Sequence, residues 1–127
     1  MQRVKFLYVH LRMLGCCFQE DQMPQISTGF GGQTVITTFE MNPGTAHDLM
    51  EALQAAYGEF IRLQPGFIGA ALHMNDAQTR IANYSQWARR EDFMAMLRTP
   101  EMRTRNRVIA GLCSRFEPVM YEVAGVY

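Results

Sequence analysis

The sequence predicts an α+β protein whose architecture is the ferredoxin-like βαββαβ sandwich. Strand-like and helix-like segments follow one another in the order strand, helix, strand, strand, helix, strand. Pro118 lies inside the last predicted strand, and proline is tolerated in a strand only at the edge of a sheet or at a bulge. The sheet order 4-1-3-2 of this architecture puts the last strand at an edge, so the two observations agree.

The composition is that of one globular domain. Of the 127 residues, 48% are hydrophobic and 19% are charged, so a substantial core is available and disorder is not expected. The 12 basic and 12 acidic residues cancel, which argues against nucleic acid as the main partner because phosphate binding uses excess positive charge. No apolar run is long enough for a transmembrane helix. Neither nucleic acid nor a membrane is therefore expected as a partner.

Motifs for metals and nucleotides are missing from the sequence. Cys16, Cys17 and Cys113 form no C-x-x-C pair, and the three histidines lack a metal-binding spacing. The glycines at residues 29–32 precede a strand and open no helix, unlike a phosphate-binding loop. We therefore expect no metal and no cofactor. The odd cysteine count favours a reduced, cytoplasmic location.

Residues 1–33 are expected to form an N-terminal extension or linker before a domain spanning residues 34–127. The first 18 residues faintly resemble a signal or lipoprotein peptide, but His10 and Arg12 interrupt the apolar part. An extension of unknown purpose, or a true start at Met23, fits better than an export signal. The polar segment 19–33 contains glycine and proline, as linkers do.

The first strand is predicted in "TVITTFEMN", where β-branched residues dominate. Thr45 and Asp48 then predict a capping box at a helix start. An apolar stripe at spacings of three and four continues this helix until "QPG" ends it. The stripe consists of Leu49, Leu53, Ala56, Phe60 and Leu63.

The segments "FIGAALHM" and "TRIANYSQW", joined by the turn "NDAQ", predict a hairpin of the second and third strands. The second helix is predicted in "ARREDFMAMLR". It restarts with Thr99 as N-cap and Pro100 in the first helical position, and runs to about Gly111. The last strand is predicted in "SRFEPVMYEV".

The third strand has a mixed face that an ordinary core face would not have. Ile81, Asn83, Ser85 and Trp87 alternate along the pleat and share this face. An amide and a hydroxyl beside the only tryptophan of the chain indicate either the wall of a pocket or a core face with polar exceptions.

The motifs "FEMNPGTAHDLMEAL", "QPGFIGAALHM" and "NYSQWARREDF" resemble the antibiotic biosynthesis monooxygenase family over roughly residues 34–123. The "PGF" turn and the tryptophan closing the third strand are the most telling marks. The resemblance implies a homodimeric α+β barrel with a pocket between sheet and helices in each subunit. The closest likeness is to the quinone-forming oxygenases of aromatic polyketide pathways, which oxidise anthrone- or naphthacenone-type phenols with O2 and without metal, flavin or haem.

The resemblance also implies which residues carry the chemistry. They are His73, Asn83, Trp87 and Arg107 as catalytic residues, and Phe39, Tyr57, Phe93 and Met96 as residues that contact the substrate. Phe93 is also a departure, because some relatives have at this position a tyrosine that relays protons. The resemblance therefore leaves the route of protonation open.

These residue types suit an oxidation in which the substrate supplies the electrons. Deprotonation gives a carbanion, which passes one electron to O2, and recombination gives a peroxide that loses water to become a quinone. Trp87 would offer an apolar wall and one N–H donor, and Asn83 a hydrogen bond to oxygen. Arg107 would stabilise developing negative charge, and His73 is the one member of this set that titrates near neutrality.

Each of these four residues also has a purely structural interpretation. Trp87 also suits a core position, Asn83 suits a partner for backbone groups, His73 a satisfied or surface histidine, and Arg107 a solvated basic helix face. His73 shares the face of Asn83 only if the hairpin has a three-residue loop or a bulge. A two-residue turn at Asp76-Ala77 would put it on the other face, opposite Arg80.

Other functions on the same fold stay open at this point. A haem-degrading oxygenase is disfavoured, because such relatives use a histidine on the second helix as the iron ligand and no histidine follows His73. A non-catalytic dimeric module that binds a small ligand would take up no oxygen. An isomerase or cyclase acting on a similar substrate would not consume oxygen either.

Overall fold

The structure is a computed structural model that describes residues 24–127. Its secondary structure begins with strand β1 (Gln33–Glu40), helix α1 (Pro43–Glu59), strand β2 (Phe67–Met74) and strand β3 (Arg80–Trp87). It continues with helix α2 (Arg90–Arg98), helix α3 (Pro100–Leu112) and strand β4 (Arg115–Tyr121). The predicted element order is confirmed. The last strand is shorter at both ends than the segment "SRFEPVMYEV" predicted.

The four strands form one antiparallel sheet in the order β2-β3-β1-β4. This is the predicted order 4-1-3-2, and it confirms the α+β ferredoxin-like class. Pro118 lies in the edge strand β4, opposite Thr37 of β1. Since an edge strand leaves one side unpaired, the missing N–H of proline costs no hydrogen bond inside the sheet.

The core lies between one face of the sheet and the helices. The alternation predicted for β3 holds, because Ile81, Asn83, Ser85 and Trp87 are all buried. The apolar members of the core from the sheet and from α1 are Val35, Phe39, Ile81, Trp87, Ala46, Leu49, Leu53 and Ala56. Helices α2 and α3 add Phe93, Met96, Met102 and Ile109.

The opposite face of the sheet carries no helix within residues 24–127. Val119 and Tyr121 are exposed there, and Ile36 and Tyr84 are half-buried. Part of this outer face is covered by the segment before β1, where the buried side chain of Gln86 pairs with the backbone N–H and carbonyl of Gln25. The part of the extension in residues 24–32 thus contacts the domain, whereas the expectations for residues 1–23 lie outside the described residues.

The predicted capping box at Thr45 and Asp48 is wrong. Helix α1 starts earlier, with Asn42 in the N-cap position and Pro43 in the first turn. The Thr45 hydroxyl instead donates to the carbonyl oxygens of Asn42 and Leu112, at 3.3 and 2.8 Å, and so ties the start of α1 to the end of α3. Proline favours this earlier start because its fixed φ suits the first helical position.

The helix ends differ from the sequence prediction in one further place. Helix α1 ends at Glu59 and a 3-10 turn, Ile61–Leu63, follows before "QPG". The N-cap role of Thr99 is confirmed, because its Oγ accepts a hydrogen bond from the N–H of Met102 at 3.2 Å. Its extended backbone also breaks the second helical region into α2 and α3.

Gly66 allows the "PGF" turn to pack against the start of α2. Its φ is +82°, in the left-handed region that favours glycine, and a Cβ atom there would collide with the side chain of Asp92. Asp92 is held by Arg89, whose guanidinium donates to its carboxylate at 3.0 Å. The turn before β2 and the start of α2 therefore pack closely only because residue 66 has no side chain.

No helix among residues 24–127 is long and apolar enough to cross a membrane.

Candidate active site

A cleft lies between the helix-covered face of the sheet and the three helices. Its cavity volume is about 50 Å³, below the roughly 300–1,000 Å³ of typical small-molecule sites, so a polycyclic ligand requires the walls to move apart. The strands contribute Thr37, Phe39, Asn83, Phe116 and Pro118. The helices and the 3-10 turn contribute Leu53, Tyr57, Ile61, Phe93, Met96, Leu97, Met102, Asn106 and Ile109.

The walls of the cleft are mostly apolar and partly aromatic. The rings of Phe39 and Phe116 stack with their centroids 5.6 Å apart and an interplanar angle of 20°. Thr37, Tyr57, Asn83 and Asn106 are the polar members of the lining, and none of the lining residues carries a formal charge at neutral pH. Such a cleft suits a flat, mainly apolar ligand with a few oxygen atoms.

Tyr57 and Asn83 form a hydrogen-bonded pair in the wall of the cleft. The Tyr57 hydroxyl lies 2.9 Å from Oδ1 of Asn83 and 2.6 Å from its Nδ2. Burial raises the pKa of Tyr57 to about 12, although hydrogen bonds with Asn83 and Ser85 act in the opposite direction. The phenol is therefore protonated throughout the neutral range and available as a hydrogen-bond donor.

Trp87 lies behind the cleft and contributes no surface to it. Its side chain is fully buried, and its Nε1–H donates to Oγ of Ser85 at 3.2 Å. The rings of Phe67 and Phe93 pack edge-on against it, with centroid distances of 5.4 and 5.8 Å. Since Phe93 lines the cleft, Trp87 supports the wall from behind.

A model of the antibiotic biosynthesis monooxygenases matches residues 33–107, which is more than half of the chain. The chain belongs to this family. The tetracenomycin-F1 monooxygenase of Streptomyces glaucescens is 29% identical over 90 residues, which are 71% of this chain and 80% of the relative.

Two solved structures of other proteins are similar to the structure of this family member. The monooxygenase ActVA-Orf6 of Streptomyces coelicolor, in complex with nanaomycin D, superposes with a TM-score of 0.67 at 25% identity, over 76% of this chain and 90% of that one. SnoaB of Streptomyces nogalater, a cofactor-independent oxygenase, superposes with a TM-score of 0.61 over 76% of this chain and 96% of that one. Its identity is 17%, so this second likeness concerns the fold.

The four expected substrate contacts all lie in the cleft of this monooxygenase-family chain. Phe39, Tyr57, Phe93 and Met96 come from β1, α1 and α2 and meet there. Asn83 is with them and is 7% exposed. Their roles towards a substrate stay predictions, but the fold does bring these five side chains together.

His73 does not reach the cleft. It pairs with Ala82, and therefore lies on the outer face of the sheet, whereas Leu72 shares the face of its partner Asn83. The hairpin loop explains this position, because the four residues Asp76–Thr79 lie between the hydrogen-bonded Asn75 and Arg80. Relative to a two-residue turn the register moves by two residues, so the face of His73 is unchanged. A shared face with Asn83 is thus wrong within this subunit.

Arg107 does not reach the cleft either. Its side chain is exposed, and its guanidinium donates to the Thr104 hydroxyl at 3.2 Å. The neighbouring Asn106 lines the cleft instead. Adjacent residues of a helix point about 100° apart, so only one of the two can face the sheet. The solvated basic face is the interpretation that fits Arg107.

The sequence interpretation missed several lining residues. Asn106 is the most informative of them, because it lies between Met102 and Ile109 on one stripe of α3 with spacings of four and three. That spacing was visible in the sequence. Thr37 was visible too, since it alternates with Phe39 and lies opposite Asn83.

No cluster of three or more His, Cys, Asp or Glu side chains suited to a metal ion occurs among residues 24–127.

Proposed function

We propose that this protein is a monooxygenase that oxidises a flat polycyclic phenol, of the anthrone or naphthacenone type, to a quinone with O2 and without a cofactor. The observation that carries the proposal is the uncharged aromatic cleft with the Tyr57–Asn83 pair in its wall. The names of the relatives support the same class. One is a tetracenomycin-F1 monooxygenase, and one was solved with nanaomycin D.

The chemistry asks the protein to hold an anion next to O2 and to exclude bulk water. An apolar cleft excludes bulk water, and it strengthens each hydrogen bond inside it because the local dielectric is low. Asn83 holds the anion, since its amide N–H can donate to the phenolate oxygen that carries the charge of the substrate anion. Phe39 and Phe93 give the flat faces against which an aromatic ring packs.

We propose further that the protein works as a homodimer through the outer face of its sheet. Ile36, Tyr84, Val119 and Tyr121 give this face an apolar, aromatic surface that no helix among residues 24–127 covers. His73 lies on the same outer face, and would then be near the interface and far from its own cleft. We assign Arg107 no role in the reaction within its own subunit.

Oxygen consumption with a simple anthrone tests the proposed function. Chelator-treated protein and dithranol are mixed in an oxygen electrode cell, and quinone formation is followed by absorbance. We expect uptake above the spontaneous rate, and a loss of about 10-fold or more in Asn83→Ala, the effect of one lost hydrogen bond to a charged oxygen. Asn42→Ala is the matched control, because that amide makes no capping hydrogen bond and lies outside the cleft.

Each alternative function predicts a different result. A ligand-binding module would bind the anthrone and leave the oxygen concentration at the spontaneous slope. An isomerase or cyclase would change the absorbance spectrum under nitrogen. Spontaneous rates across several anthrones and naphthacenones would contradict the oxygenase proposal.

A further inference from the structure

Among residues 24–127, Tyr57 is the one titratable side chain in the lining of the cleft. Every other polar lining residue is an amide or an aliphatic alcohol, namely Asn83, Asn106 and Thr37. Amides and aliphatic alcohols are much weaker acids than a phenol, so they donate hydrogen bonds and do not transfer protons to a bound ligand. Any proton that a cleft side chain delivers must therefore come from Tyr57.

The position of Tyr57 is fixed from three sides. Helix α1 carries it, the ring packs against Phe67 with a centroid distance of 6.0 Å, and the hydroxyl is held by the Asn83 amide. The phenol is protonated at neutral pH, and burial, which raises the pKa of Tyr57 to about 12, leaves it able to protonate only a strong base such as a peroxide anion. A proton donor needs both properties, namely a defined position and a bound proton at the working pH.

We propose that Tyr57 is a catalytic residue that gives its hydroxyl proton to the peroxide formed from substrate and O2. This assignment rests on the proposed function. The Asn83 amide then holds the phenolic oxygen of the substrate, and the neighbouring Tyr57 hydroxyl meets the terminal peroxide oxygen.

The steps balance without a further reactant. The CH2 group of the substrate loses a proton to solvent, the carbanion passes one electron to O2, and the radical pair joins in a C–O bond. Tyr57 protonates the terminal oxygen of this peroxide, and the tyrosinate removes the second proton from the same carbon. The C–H electron pair becomes the C=O bond while the O–O bond breaks and hydroxide leaves. Hydroxide takes up the first proton, so CH2 and O2 become C=O and water.

The donor and its partner are expected to fail in different kinetic parameters. Tyr57→Phe keeps the ring and removes the O–H group, so we expect kcat for quinone formation to fall about 100-fold. KM should stay unchanged because Asn83 still binds the substrate. Asn83→Ala should both lower kcat and raise KM. The solvent isotope effect on kcat should be present in the wild type and absent from Tyr57→Phe, with hydroperoxide detectable in that variant.

Tyr127→Phe is the matched control. It removes a hydroxyl from a fully exposed tyrosine outside the cleft, and its kcat should equal that of the wild type. A Tyr57→Phe variant with wild-type kcat, or one whose loss lies in KM alone, would overturn the donor role. In the second case Tyr57 would position Asn83. If the wild type itself consumes no oxygen, the proposed function fails, and this assignment with it.

Discussion

The variant Trp87→Phe tests whether Trp87 is a core residue behind the cleft or a wall residue that contacts the ligand. Trp87 is fully buried between Phe67 and Phe93, and it donates one hydrogen bond to Ser85. The change removes roughly two CH2 equivalents of buried apolar surface, about 1.5 kcal/mol, and one hydrogen bond, about 1 kcal/mol. Ser85 keeps a second partner, since its hydroxyl lies 3.4 Å from the Val35 carbonyl. The free energy of unfolding should therefore fall by about 2–3 kcal/mol.

Urea unfolding followed by circular dichroism measures this loss at one fixed protein concentration, because dimerisation would couple stability to concentration. The melting temperature should fall by about 10 °C for a chain of this size. Tyr127→Phe, at a fully exposed tyrosine outside the proposed dimer face, is the control, with a change below about 0.5 kcal/mol.

Binding of a redox-inert anthraquinone, measured by calorimetry, gives the second readout. We expect Trp87→Phe to bind it nearly as the wild type does, because Phe93 stays in the wall. A variant of wild-type stability that had lost most of its anthraquinone affinity would refute the core placement of Trp87. It would show that the indole itself touches the ligand.

The same geometry gives four further predictions. Gly66→Ala should lower the free energy of unfolding by about 1–3 kcal/mol, because φ is +82° and Asp92 must move. Gly58→Ala, in the open on α1, should raise that free energy by a few tenths to 1 kcal/mol. The raised pKa of Tyr57 means that the unfolded chain ionises first above pH 10, so stability should fall between pH 10 and about 12 by roughly 2–3 kcal/mol, and less in Tyr57→Phe. Val119→Asp should shift the protein to monomer in sedimentation velocity if the outer face forms the dimer, and an unchanged sedimentation coefficient would contradict that interface.

The fold was predictable because periodicity and turn chemistry are local. Thr99 and Pro100 marked the start of α3 correctly, and Pro118 marked the edge strand. The capping box predicted at Thr45 was wrong because an N-cap threonine and a threonine inside the first turn look the same in sequence. Pro43 two residues earlier was the better signal, since a residue that lacks an N–H and carries a ring on its nitrogen fits a helix best in the first turn.

The site was less predictable because it depends on which face of its strand or helix each residue occupies and on how deeply its side chain is buried. The face of His73 depends on whether the hairpin loop is odd or even in length, which the letters "NDAQ" do not fix. The choice between Asn106 and Arg107 depends on the phase of α3, which the apolar spacing of Met102 and Ile109 does reveal. The depth of Trp87 depends on Phe67 from the neighbouring strand and on Phe93 from α2, and no local pattern contains that information.

The mixed face of β3 becomes intelligible once each polar group is matched to its partner. Ser85 accepts from Trp87 and approaches the Val35 carbonyl, so its hydroxyl is used within the core. Asn83 is held by the Tyr57 hydroxyl, yet an amide has two N–H donors and two acceptor lone pairs, more than one phenol can use. A buried amide with unused capacity costs free energy unless another polar group meets it. Because Asn83 lines the cleft, that capacity faces the space a ligand would fill. Of the two polar residues on this face, Ser85 therefore serves stability, and the role we propose for Asn83 is to bind the substrate.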